Sequence, residues 1–176
     1  MGGYPGELRK LLGIYVEEFD PWTEEMSNEV IIPDGPLRGN YACALWGEVV
    51  HLEGARALGT FASDYYAHGP ALTVNLFGDG MAYYLATQAS DELASNLASM
   101  FCQQAGVEQL MGAGEALEVT RRTRSDGLNV YFILNHNDSP ELVILPPGIF
   151  TSLLDGSEFS EQVVIAERGV LILLEK

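Results

Sequence analysis

Thr120-Arg121-Arg122-Thr123-Arg124-Ser125-Asp126-Gly127-Leu128-Asn129-Val130-Tyr131-Phe132-Ile133-Leu134-Asn135-His136 sets two runs of strand-forming residues on either side of Asp126-Gly127. β-branched and aromatic side chains suit a pleated surface, and Asp-Gly accepts the positive φ of a tight hairpin. The stretch therefore predicts strands over 116–124 and 128–135 joined by a type I′ turn. In the second strand Leu128, Val130, Phe132 and Leu134 face one side. Arg121, Arg122 and Arg124 read as a solvated strand face or as charge partners for acids of the neighbouring domain. Further strands are predicted over 141–145, 162–166 and 169–174, with Pro146-Pro147-Gly148 and Asp155-Gly156 breaking the chain between them. Short strands punctuated by turns predict a small antiparallel β sandwich over 115–176.

Upstream, Gly112-Ala113-Gly114 reads as part of a linker over 107–114, and residues 1–106 form a separate domain. There Ser90 is an N-cap, with Asp91 and Glu92 opposing the helix dipole in the first turn. Leu93, Leu97, Met100 and Phe101 recur at helical spacing, and Gly106 suits the left-handed residue after a helix. Leu72, Val74 and Leu76 alternate with polar residues, and Gly78-Asp79-Gly80 turns the chain into a second strand, Met81 to Thr87, rich enough in apolar residues for burial on both faces. Tyr41 to Leu52 and Ala55 to Phe61 predict two more strands, and Val30-Ile31-Ile32 a brief one. Pro5 and Gly13 bracket a two-turn helix with Leu8, Leu11 and Leu12 on one face. The acids from Glu17 to Glu29, interrupted by Pro21, read as an exposed loop.

Composition narrows the function. The 176 residues are 47% hydrophobic and 19% charged, which supplies a core and argues against disorder. The net charge of -16 disfavours nucleic acid, whose backbone needs clustered Lys and Arg, and disfavours anionic membranes. No apolar run reaches transmembrane length, and Met1-Gly2-Gly3-Tyr4-Pro5 is not built like a signal peptide. Cys43 and Cys102 lack the neighbours of a zinc site and read as reduced core residues, which fits a cytoplasmic location.

Several runs resemble the glycoside hydrolase family 42 β-galactosidases. Gly2-Gly3-Tyr4-Pro5-Gly6-Glu7-Leu8-Arg9-Lys10-Leu11-Leu12-Gly13 and Val16-Glu17-Glu18-Phe19-Asp20 look like the second half of that family's middle, trimer-forming domain. Trp46-Gly47-Glu48 with His51-Leu52-Glu53-Gly54-Ala55 resembles a family strand-turn-strand. Pro70 to Asn75 with Gly78 to Tyr84 is similar to a family hairpin, and Thr120-Arg121-Arg122 with Val130 to His136 to the start of its C-terminal β domain. The resemblance implies an α+β chain: a mixed or antiparallel sheet with helices (part of a flavodoxin-like trimerisation domain), then the β sandwich. It also implies that the catalytic (β/α)8 barrel and the first, parallel half of the trimerisation domain lie outside these residues.

The search for chemistry agrees. Glycoside hydrolysis needs two carboxylates about the scissile bond, one in an apolar pocket. Glu17-Glu18 is the densest pair and has no such pocket in sequence. His51, which reads as a hydrogen-bonded core residue, His68 and His136 show no metal or triad spacing, and no phosphate loop is present. No catalytic, cofactor or metal residue is assigned, and the chain alone is expected not to be an enzyme. Two functions remain. One is a non-catalytic part of a β-galactosidase that self-associates as a homo-oligomer or joins a catalytic-barrel segment of its parent. The other is a stand-alone carbohydrate-binding module using exposed aromatics, with Trp22, Tyr65 and Tyr66 as the candidate sugar contacts.

Overall fold

The structure is a computed structural model that describes residues 4–176. Gly2 and Gly3 of the resemblance, and Met1 to Gly3 of the stretch read for a signal peptide, lie outside the described residues. Two compact units follow one another, Met1–Gly106 and Val107–Lys176.

Unit 1 opens with a 3-10 turn at Gly6–Leu8 and α1 (Arg9–Leu12), ended by Gly13 at φ 63°. Its strands are β1 (Ile14–Pro21), β2 (Asn28–Ile32), β3 (Gly39–Leu52), β4 (Arg56–Phe61), β5 (Pro70–Phe77), β6 (Gly80–Leu85) and β7 (Thr87–Ala89), followed by α2 (Asp91–Gln104). The strands form one sheet in the order β1-β3-β2-β4-β5-β6, with β7 added beside β3, and every pairing is antiparallel. Ile14, Val30, Phe61, Leu72 and Leu93 are buried at its centre. Removing each such side chain from water stabilises the fold by about 1.5–3 kcal/mol.

The acidic run differs from its sequence reading. Glu17, Glu18 and Asp20 lie on β1, because Ile14 and Val16 are core residues that pull the run into register with β3. Leu45 interrupts β3 at φ 67°. Before it, β3 pairs with β2 through Cys43; after it, β3 pairs with β1 from Trp46 onward. The β5–β6 hairpin closes through Gly78, at φ 59°, and Asp79, which is the type II′ pattern with glycine first. Residues 82–85 are half-buried and Met81 is exposed, so β6 is not covered on both faces, as befits a sheet edge. In α2 the Ser90 side chain accepts from the Leu93 amide at 3.3 Å, and Leu93, Leu97 and Met100 are the buried stripe.

Unit 2 holds β8 (Gly112–Ala113), β9 (Leu117–Thr123), β10 (Asn129–Asn135), β11 (Glu141–Ile144), β12 (Phe150–Ser152), β13 (Glu158–Phe159), β14 (Gln162–Ile165) and β15 (Val170–Glu175). A five-stranded sheet, β13-β12-β15-β10-β9, and a three-stranded one, β14-β11-β8, share a core of Tyr131, Ile133, Val143, Phe150 and Leu173. Gly112-Ala113 is thus a strand paired with β11 rather than linker, and the preceding Met111 is buried. The β9–β10 turn is a three-residue loop: the Gly127 amide donates to the Arg124 carbonyl at 3.0 Å, and Gly127 alone takes positive φ. That is a type I turn with a glycine bulge, not type I′. Tyr131, Ile133 and Asn135 face the shared core, and the even-numbered positions of β10 form its other face.

Candidate assembly surface

The three aromatic residues singled out for sugar contact come together, but two are inside. Trp22 and Tyr66 are 8% and 7% exposed, whereas Tyr65 is 65% exposed. The Trp22 Nε1–H donates to Tyr66 Oη at 2.9 Å and to Asp20 Oδ2 at 3.0 Å, and Tyr66 Oη donates to the same carboxylate at 3.2 Å. Tyr66 packs edge-on to Phe61 at 4.9 Å and to Tyr65 at 4.7 Å. Burial drives the Tyr66 phenol well above its ordinary value, so it stays a neutral donor. Trp22 and Tyr66 therefore close the end of the core, because their polar tips share one carboxylate. Desolvation, and then the Glu18, Asp20 and Asp64 carboxylates, raise the Tyr65 phenol as well.

Beside this cluster β1 and β3 form an exposed ribbon. Phe19 and Leu45 are 57% and 49% exposed, and Phe19 stacks on Trp46 at 6.2 Å. Glu17 and Glu18 project from the same ribbon, exposed. His51 is exposed too, held by Glu17 Oε2 at 2.5 Å; strand alternation puts its neighbour Val50 on the core face and leaves His51 outside the core position expected of it. His136 pairs with Glu118 at 3.1 Å on unit 2. Cys43 is a buried thiol that burial pushes up, while Cys102 is exposed on α2, contrary to its core reading. Its position on the solvent side of the Leu93–Leu97–Met100 stripe accounts for that.

Sequence reasoning passed over Glu48, the one charged residue that is buried among the described residues. It accepts from Tyr84 Oη at 2.5 Å. Burial raises the Glu48 carboxyl and the Tyr84 hydrogen bond partly offsets this. A folded-state pKa above the unfolded value means stability that is present at low pH and lost as pH rises through the folded pKa. Glu48→Gln, which keeps an acceptor for Tyr84, is expected to gain about 1 kcal/mol at neutral pH and nothing near pH 4. Thermal melting of both proteins between roughly pH 4 and pH 7 checks it, and a variant less stable throughout would refute the assignment. Only the fold pairs Glu48 with Tyr84, 36 residues away, so no local motif announces it.

On the opposite edge of the sheet, α2 leaves β5 and β6 partly open. An apolar groove of about 680 Å³ runs there, floored by Leu72, Leu85 and Leu97 and rimmed by Met81, Tyr83 and Phe101. Leu76 and Phe77 are 78% and 53% exposed nearby on β5. Contiguous exposed apolar surface of this kind marks an interaction site. Among the described residues no group of three or more His, Cys, Asp or Glu is placed to hold a metal ion, and no helix is long and apolar enough to cross a membrane.

Comparison with known proteins matches these two units to two family models. Residues 1–108 match the β-galactosidase trimerisation domain and residues 116–175 the β-galactosidase C-terminal domain. The chain belongs to the glycoside hydrolase family 42 β-galactosidases, of which it carries the trimerisation and C-terminal domains. Among the relatives, β-galactosidase BgaP of Planococcus sp. (strain L4) is 40% identical over 175 residues, which is 98% of this chain and 26% of BgaP. The crystal structure of β-galactosidase from Bacillus circulans sp. alkalophilus superimposes with a TM-score of 0.92 at 36% identity, over 100% of this chain and 26% of that one. The enzyme from Rahnella sp. R3 gives 0.86 at 32% identity, with the same coverage. The chain thus spans about a quarter of the length of these relatives.

Proposed function

We propose that this chain is a non-catalytic assembly module, the C-terminal part of a β-galactosidase whose complete form hydrolyses terminal β-D-galactosides. The observation that carries this reading is the open apolar groove on a unit that matches a trimerisation domain. An apolar face of this size is expensive to leave in water and is stabilised by a protein partner. Homo-oligomer formation, or docking with a barrel segment of the parent, is the role of that face. The rival reading, a stand-alone sugar-binding module, keeps only Tyr65 of its three rings at the surface. The two free cysteines, one of them exposed, fit a reducing compartment such as the cytoplasm.

Sedimentation velocity tests the assembly role. The 176-residue chain is expected to run as an oligomer, and a monomer persisting at roughly 100 µM would rule out self-association and leave docking to the parent's barrel as the only role for that face. Hydrolysis of a chromogenic β-galactoside by the same preparation would overturn the non-catalytic part.

A further inference from the structure

We draw no further inference here: the strongest candidate, the surface patch of exposed Phe19 and Leu45 beside Glu17 and Glu18 on the β1–β3 ribbon of unit 1, is an unpartnered face, and nothing in the structure shows what covers it.

Discussion

Replacing Phe150 with alanine is expected to melt the C-terminal unit at ordinary temperatures. Phe150 is fully buried on β12 and meets Tyr131 of β10 edge-on at 5.8 Å. It thereby fills the centre of a core that the three-stranded sheet completes through Val143, Val163 and Ile165. Truncating a buried phenylalanine costs about 3–5 kcal/mol, because the transfer energy is lost and the cavity closes only in part. Val107–Lys176 is a small unit, whose whole stability on the per-residue scale of ordinary domains is roughly 4–10 kcal/mol. The loss is therefore comparable to the total. Both tryptophans lie in residues 1–106, so tryptophan fluorescence does not report on this core. Amide hydrogen exchange does. Protection in β10 and β15 should fall by about two to four orders of magnitude or vanish. Wild-type protection there in the variant would show that Phe150 does not hold the unit together.

Local patterns made much of this fold legible. Ser90 with Asp91 and Glu92 announced α2, and the capping bond forms as those residue types require. The alternation from Leu72 to Leu76 announced β5. What local pattern misjudged was decided by partners distant in sequence. Glu17-Glu18 has loop composition, yet β3 supplies its ladder from residues more than thirty positions away. Gly112-Ala113 has linker composition, yet two residues suffice when β11 is already in place to receive them. The core face of β10 was equally ambiguous. A central strand carries apolar residues on both faces, so Leu128, Val130, Phe132 and Leu134 could not be told from Tyr131 and Ile133 by alternation alone.

The surface was less legible than the fold. Trp22 and Tyr66 look exposed in sequence because they sit among acids and small residues, but one of those acids, Asp20, is the acceptor that lets both rings be buried. The groove has no signature at all in sequence. Its residues come from β5, β6 and α2, each of which reads as core, and only the edge position of β6 leaves them open.

The same closed end of the core makes Gly47→Ala a strongly disruptive change, although it adds a single methyl group. Gly47 pairs with Asp20 of β1 on one side and Thr87 of β7 on the other, so its backbone is fixed from both edges. A Cβ there would lie 2.6 Å from Tyr66 Oη, 2.7 Å from Trp22 Cζ2 and 2.9 Å from Tyr66 Cζ. None of these atoms is free to swing aside. Tyr66 Oη is tied to Trp22 Nε1 and Asp20, and its ring is packed against Phe61. Relief requires both rings to move outward, which breaks their hydrogen bonds to Asp20 and unpacks Phe61. Overpacking of this kind costs about 1–3 kcal/mol, and stranding a buried donor adds about 1–3 kcal/mol more. For a unit near one hundred residues that is a fall in melting temperature on the order of 10–20 °C. Trp22 sits beside the added methyl, so the emission of the folded variant should shift to the red as its indole meets water. Tyr66→Phe separates the two costs, since it removes the nearest clashing atom together with its hydrogen bonds. Combined with Gly47→Ala it should therefore cost less than the sum of the single changes. Strict additivity, or a Gly47→Ala variant melting within about 1 °C of wild type with an unmoved emission spectrum, would mean that the rings have slack at this end of the core and that Asp20 does not pin them.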